Sequence, residues 1–171
     1  MRVGAGLPVA AYRDEITTAL HGGRAVIVAP PGTGKTTFVP PLVASRCSGR
    51  VIVTQPRRVA ARAAARRLAT LTGTRPGEFA SHTVHGESTT TRDTKVEFVT
   101  TGVLLRRLLS DPDLTGVDAV VLDEVHERHL DADLVVAMVC EVAQLRDDLT
   151  IVAMSATVDL SLIHISEPTR P

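Results

Sequence analysis

Residues 26–37 read V-I-V-A-P-P-G-T-G-K-T-T, an apolar run that ends in a loop rich in Gly and Pro. The apolar run predicts a buried strand, and Gly34-Lys35-Thr36 at the end of the loop predicts the start of a helix. A strand, a glycine-rich loop and a helix in this order are typical of a phosphate-binding P-loop, because glycine lets backbone N–H groups turn towards phosphate oxygens. A chance glycine-rich turn is the alternative, and the flanking strand and helix argue against it.

The residue types in this loop match the chemistry of a bound nucleotide. We expect Lys35 to neutralise the β- and γ-phosphates of a nucleotide and Thr36 to ligate Mg²⁺ through its hydroxyl group. Thr37 is expected mainly to continue the helix. The predicted nucleotide-binding residues are Pro30, Pro31, Gly32, Thr33, Gly34, Lys35, Thr36 and Thr37.

The composition limits the class of protein. A chain of 171 residues with 44% hydrophobic content is typical of one globular domain. Its apolar runs are shorter than the roughly 18 to 20 residues that span a bilayer, and its N-terminus lacks a secretion signal, so we expect a cytoplasmic protein without a membrane partner. With net charge zero and 2% aromatic residues, contact with nucleic acid is expected to be local and to its backbone. Cys47 and Cys140 are isolated, which favours small buried apolar residues over metal ligands or a disulfide.

A second chemical centre follows the apolar stretch at residues 117–122, where the sequence continues D-E-V-H-E-R. Asp123, at the end of a predicted strand, is expected to hold Mg²⁺ through water, and Glu124 to orient or deprotonate an attacking water. Adjacent acids are also common in ordinary loops, but the P-loop upstream favours the catalytic interpretation. His126 is either a surface or satisfied core histidine, or a contact to the water network or to a second domain.

Two further polar stretches follow apolar strands. T-Q-P-R-R at 54–58 precedes an Ala- and Arg-rich helix that is predicted to end near Leu71, and Arg57 and Arg58 beside its free N–H groups suit a polynucleotide phosphate. An arginine pair is equally typical of a solvated helix face. The strand predicted at 149–154 leads into Ser155-Ala156-Thr157, whose hydroxyls either cap a helix or sense the γ-phosphate.

The rest of the chain continues the alternation of strands and helices that predicts an α/β fold. Residues 73–93, rich in Thr, Ser, His and Gly, are predicted to be dominated by loops, with one possible short strand at 82–84. The other predicted elements are a helix over 7–20, strands over 50–54 and 95–99, and helices over 103–109 and 130–145. The predicted core face of the last helix consists of Leu134, Ala137, Met138 and Val142.

Five motifs, in order, resemble those of DEAH-type superfamily 2 RNA helicases. They are P-P-G-T-G-K-T-T at 30–37, T-Q-P-R-R-V-A-A at 54–61, T-T-G-V-L-L-R-R-L at 100–108, D-E-V-H-E-R at 123–128 and M-S-A-T at 154–157. H-G-E-S at 85–88 and L-R-D-D-L at 145–149 are most similar to a bacterial branch of the family. The resemblance covers residues 7–159. Ala29 stands where the strict P-loop pattern has Gly, and Val125 where the family motif has Ala.

The resemblance implies a RecA-like P-loop NTPase domain, with a mostly parallel sheet and helices on both faces. It implies a lead-in segment and helix at 1–23 and the first ATP-binding domain of a helicase at 24–159, which couples ATP hydrolysis to nucleic-acid remodelling. In such helicases the lead-in segment lies against the base, so Tyr12 and Arg13 either contact adenine or belong to a surface helix.

Roles for individual residues follow from the same resemblance. The implied catalytic residues are Lys35, Asp123, Glu124 and His126, with Thr36 and Asp123 on the metal. The implied contacts to the RNA backbone are Arg57, Arg58, Thr101, Gly102 and Arg106. The residues implied to couple the nucleotide to movement are Ser155, Ala156 and Thr157.

Helicases of this type carry a second RecA-like domain with an arginine finger, which we expect as a partner in the intact protein and do not find in this sequence. Residues 160–171 hold Ile163 and Ile165 in an Arg- and Val-rich chain and show no periodicity, so we expect a non-native or disordered tail. Because the finger is worth about 10³ to 10⁵ in rate, the alternative function is a nucleotide-binding P-loop module without helicase turnover. A P-loop kinase would need a lid and an acceptor site that the sequence does not offer.

Overall fold

The computed structural model describes residues 3–157. The strands are β1 Arg24–Val28, β2 Arg50–Gln55, β3 Ala80–Val84, β4 Glu87–Ser88, β5 Val96–Thr100, β6 Val117–Leu122 and β7 Thr150–Ser155. The α-helices are α1 Arg13–Leu20, α2 Lys35–Ala44, α3 Arg58–Thr72, α4 Thr101–Ser110 and α5 Leu130–Leu145, and a 3₁₀ helix at Pro8–Tyr12 precedes α1. The strands form one sheet in the order β1-β7-β6-β2-β5-β3-β4.

All neighbouring strands are parallel except β3 and β4, which pair antiparallel. The carboxyl ends of parallel strands meet at one edge of a sheet, so the loops after β1, β2, β6 and β7 lie together. The register pairs Val28 with Ser155 and Thr54 with Leu122. The P-loop therefore begins beside the S-A-T motif, and Gln55 emerges beside Asp123.

The two faces of the sheet carry two separate hydrophobic clusters, because successive residues of a strand point to opposite faces. One cluster joins α1, α2 and α3 to alternate strand positions such as Val51 and Val53. The other joins α4 and α5 to the intervening positions, such as Ile52 and Val120. The prediction of a mostly parallel α/β sheet with helices on both faces is confirmed.

The predicted core face of α5 is confirmed at two residues and wrong at two. The buried residues of this helix are Val135, Val139, Val142 and Ala143. Leu134 and Ala137 are exposed, whereas Val142 is buried and Met138 is half-buried against the core cluster, so these last two residues were placed correctly. The helix is apolar around most of its circumference, and its contacts with α4 and the sheet therefore select the buried face.

Residues 73–93 are more regular than the sequence predicted, because they contain the β3–β4 hairpin. Three consecutive residues of β3 are polar, so the strand shows no hydrophobic pattern, yet Ser81 and His82 are buried. The imidazole Nε2 of His82 lies 2.7 Å from a carboxylate oxygen of Glu87, and the Thr83 hydroxyl donates a hydrogen bond of 2.7 Å to Glu97. Buried polar groups are tolerated when they are paired in this way.

Three further predictions concern the C-terminal tail, the two cysteines and membrane-spanning segments. The predicted tail at 160–171 lies outside the described residues. Cys47 and Cys140 are half-buried and unpaired, and burial raises the pKa of both thiols. Within residues 3–157, no helix combines the length and the apolar character needed to cross a membrane.

Candidate nucleotide-binding and nucleic-acid site

The glycines of the P-loop have the backbone geometry that the loop requires. Gly34 has φ of +90° and precedes the first turn of α2, and a Cβ on it would lie 2.7 Å from the side chain of Leu7. Gly32 has φ of +77°, with no atom within 4 Å of the position of an added Cβ. The Thr33 hydroxyl donates to the Pro30 carbonyl at 2.9 Å. The loop thus has left-handed turns that favour glycine and open space at Gly32 for a phosphate.

Lys35 is 6% exposed and is held over the loop by carbonyl groups. Its ammonium group donates to the carbonyls of Ala29 and Pro30, the latter at 3.1 Å. Beside it, Thr37 continues the helix as predicted, since its N–H donates to the Gly34 carbonyl at 3.1 Å. A buried ammonium group held against this loop is suited to bind an anion.

Asp123 lies directly beside the first turn of α2. Its Oδ2 accepts hydrogen bonds from the Thr36 hydroxyl and from the Gln55 amide, both at 2.6 Å, and its Oδ1 accepts one from the Glu124 N–H at 2.9 Å. Burial raises the pKa of Asp123, while these hydrogen bonds oppose the rise. Adjacent hydroxyl and carboxylate oxygens are the hard ligands that Mg²⁺ prefers, so Thr36 and Asp123 fit the predicted metal.

Glu124 follows with φ of +56°, a left-handed conformation that is uncommon for a residue with a side chain. Its Oε2 lies 3.0 Å from Nε2 of His126, and the Ala156 N–H donates to Nδ1 of the same ring at 3.3 Å. Because Nδ1 accepts this bond, Nε2 carries the proton and donates to Glu124. Burial and then repulsion from Asp123 raise the pKa of Glu124.

His126 therefore connects the acidic motif with the S-A-T motif. Its Nδ1 also lies 3.4 Å from Oγ of Ser155, and that hydroxyl donates to the Thr157 carbonyl at 2.6 Å. All three residues predicted to couple the nucleotide to movement are thus joined to one imidazole, directly or through one hydrogen bond. This contact differs from that of an isolated surface histidine.

The residues predicted to contact nucleic acid fall into two groups. Arg58 donates to the His85 carbonyl at 3.2 Å, and Arg106 lies 3.1 Å from Nδ1 of the same histidine. The β3–β4 hairpin thus brings these two arginines together. The second group surrounds a cavity of about 210 Å³, which Thr101 and Gly102 line.

The cavity of the second group reaches the predicted catalytic residues. Asp123 and Glu124 line it together with Glu127. The guanidinium group of Arg57, whose side chain is 75% exposed, lies 3.6 Å from the Glu127 carboxylate. The predicted nucleic-acid and nucleotide residues therefore meet at one edge of the sheet.

The structure adds residues that the sequence reasoning missed. Gln55 is 4% exposed and donates a hydrogen bond to Asp123, a role that its sequence motif did not indicate. A buried polar residue at the end of an apolar strand was the available signal. Leu7 packs against Gly34. Tyr12, which the resemblance already suggested as an adenine contact, lines a groove of about 590 Å³ that borders Pro30. No local pattern pointed to the Leu7 contact.

A parallel sheet whose first strand runs into a glycine-rich loop, facing a carboxylate at the end of β6 one strand beyond β7, defines a P-loop NTPase domain. The family model described as DEAD/DEAH box helicase matches residues 12–164. The chain is 42% identical over 169 residues to ATP-dependent RNA helicase HrpB of Escherichia coli K12, covering 96% of this chain and 21% of the relative. It is 36% identical to the probable ATP-dependent RNA helicase DHX34 of Homo sapiens, over 92% of this chain and 14% of that protein.

The structural comparison agrees. The crystal structure of the E. coli DEAH/RHA helicase HrpB superposes with a TM-score of 0.86 at 42% identity, covering 92% of this chain and 21% of that one. The chain belongs to the DEAD/DEAH box helicase family, and its described residues have the RecA-like fold of HrpB. It spans about a fifth of the length of HrpB.

Proposed function

We propose that this chain is an ATP-binding motor domain of an ATP-dependent RNA helicase. The observation that carries the proposal is the contact of 2.6 Å between the Thr36 hydroxyl and Asp123. It joins the start of the P-loop helix to the acidic end of β6, two elements that are 87 residues apart in sequence. The names of the relatives, all RNA helicases, support the same function.

The proposed division of labour follows from the donors present. The backbone around Gly32 and the ammonium group of Lys35 bind the phosphates, and Thr36 and Asp123 hold Mg²⁺. Mg²⁺ held by these two residues would supply positive charge that offsets the charge of the phosphates. Glu124, whose carboxylate accepts a hydrogen bond from His126, orients the attacking water.

The remaining predicted residues bind RNA and transmit the state of the nucleotide. Arg57, Arg58 and Arg106, with the first turn of α4 at Thr101 and Gly102, bind the RNA backbone, since phosphate contacts position a strand without reading its sequence. Ser155, Ala156 and Thr157 transmit the state of the nucleotide through His126. A second RecA-like domain completes the ATP and RNA sites. The proposed cellular location is the cytoplasm.

Substitution of Lys35 by alanine tests the nucleotide site. Removal of a charge-assisted contact to phosphate is expected to weaken binding of a fluorescent ATP analogue in Mg²⁺ by about 10- to 100-fold. Lys95→Ala is the matched control, because Lys95 is exposed and its ammonium group donates to the Ser48 carbonyl at the opposite edge of the sheet. Equal affinities for the wild type and Lys35→Ala would refute the P-loop assignment.

A second candidate function is a nucleotide-binding module without helicase turnover, because the chain spans only 21% of HrpB. Steady-state ATP hydrolysis separates the two candidates. Hydrolysis that rises with added RNA, and that is abolished in Glu124→Gln, supports the motor. Tight binding of the analogue without any turnover supports the module.

A further inference from the structure

The pair formed by Arg57 and Glu127 connects the proposed RNA surface with the proposed hydrolytic centre. Arg57 is the N-cap residue of α3, after β2, and Glu127 lies in the turn after β6. Since β2 and β6 are adjacent strands, the pair crosses between two neighbouring loops. The guanidinium Nη2 and the carboxylate Oε1 are 3.6 Å apart, and the two side chains are 75% and 31% exposed.

Glu127 is tied to the residues proposed to handle water. Its N–H donates to the Glu124 carbonyl at 2.9 Å, which closes the turn in which Glu124 has its left-handed backbone. Single side-chain atoms of Glu124, His126 and Glu127 all lie within 4.8 Å of one another. A change in the partner of Glu127 therefore acts on the charges that surround Glu124.

The geometry of the pair makes it easy to exchange. At 3.6 Å the two groups attract each other without a close hydrogen bond, and exposed ion pairs of this kind contribute little to stability. A nucleic-acid phosphate binds an arginine through charge-assisted hydrogen bonds, which are stronger. Arg57 can therefore leave Glu127 for a phosphate at small cost.

We propose that Glu127 is an intramolecular competitor of RNA for Arg57, so that RNA binding frees the Glu127 carboxylate beside Glu124 and reports strand occupancy to the hydrolytic centre. This inference rests on the proposed function, in which Arg57 contacts the RNA backbone. The exchange moves one positive charge away from the nucleotide site. RNA and the ATP analogue consequently weaken each other's binding, and by linkage they do so equally.

The test is a double-mutant cycle on this chain, with binding of a fluorescein-labelled oligouridylate measured by anisotropy at one fixed salt concentration. Glu127→Gln is expected to tighten RNA binding about two- to fivefold, the range that corresponds to an exposed ion pair. The same substitution is expected to have little effect in the Arg57→Gln background. Asp131→Asn is the matched control, because Asp131 is exposed, lines the same cavity and loses the same charge.

The outcomes separate this inference from the proposed function. If Arg57→Gln weakens RNA binding but Glu127→Gln tightens it no more than Asp131→Asn, the competition is refuted and the RNA contact stands. If Arg57→Gln binds RNA as the wild type does, both the contact and the competition are refuted. Support requires one further result, namely that the mutual weakening of RNA and ATP analogue is reduced in Glu127→Gln.

Discussion

Two carboxylates are buried in the same sheet, Asp123 at 6% exposure and Glu97 at 1%, and their partners differ in charge. Glu97 accepts two hydrogen bonds of 2.9 Å from Arg107 and lies 3.3 Å from Arg50. Asp123 is bonded by a hydroxyl, an amide and a backbone N–H, all of them neutral. Glu97 thus accepts hydrogen bonds from a charged group, whereas the hydrogen-bond donors of Asp123 carry no charge.

The different partners of Asp123 and Glu97 are accompanied by pKa shifts of the two carboxyl groups in opposite directions. Burial dominates at Asp123 and raises its pKa. Burial also acts on Glu97, but hydrogen bonds from Arg107 and Thr83 outweigh it and lower the pKa of that carboxyl group. A buried acid with its own arginines stabilises the fold, whereas one with neutral donors leaves its charge for a cation from solution.

The largest expected effect comes from breaking the pair at Glu97. Glu97→Gln leaves the guanidinium of Arg107 half-buried without its counter-charge, which is expected to cost about 3 kcal/mol of unfolding free energy. Urea unfolding followed by circular dichroism measures the loss. Glu141→Gln, at an exposed position of α5, is the control with the same change of charge. A loss below about 1 kcal/mol would show that Glu97 is not a structural anchor.

The corresponding change at Asp123 is expected to reduce the effect of Mg²⁺ on ATP-analogue binding and to change the stability of the fold little. Asp123→Asn removes a desolvated charge but also one acceptor, so stability should change by no more than about 1 kcal/mol. The strengthening of ATP-analogue binding by Mg²⁺ should fall about tenfold, because a metal ligand is lost. Titrations of the analogue with and without Mg²⁺ measure this. Full retention of the Mg²⁺ effect would contradict the assignment of Asp123 as a ligand.

The smallest expected effect is a pH dependence of the unfolding free energy, which tests the lowered pKa of Glu97. The pKa of Glu97 in the folded chain lies below the ordinary value of 4.5, so its stabilising contribution is complete above that value and is lost as the pH falls through the folded pKa. The difference in unfolding free energy between the wild type and Glu97→Gln should therefore shrink below about pH 4.5. A difference that stays constant down to pH 3 would contradict the lowered pKa.

Much of the site could be predicted from the sequence because its parts are local. The strand, glycine-rich loop and helix around Lys35 are contiguous, and Asp123 directly follows an apolar strand. The confirmed α/β fold follows from the same alternation. The roles of the individual site residues stay predictions that the experiments above address.

The misses share a cause, since each depends on which elements pack together. The face that α5 buries was predicted wrongly at Leu134 and Ala137, because a helix with apolar residues on several sides gives no unique periodicity. Strand β3 was predicted only in part, because Ser81 and His82 are polar and their burial depends on hydrogen bonds to Thr90 and Glu87, which the β3–β4 hairpin brings beside them.

The sequence by itself determined the P-loop, the acidic motif and the order of strands and helices, because glycine conformations and hydrophobic periodicity act over a few residues. The tertiary structure alone decided which distant groups meet. The order β1-β7-β6-β2-β5-β3-β4 places Gln55 on Asp123 and Arg57 on Glu127. Strand order is a property of the whole core, since each inner strand must pair with two neighbours and pack against helices, and no local stretch of residues contains that information.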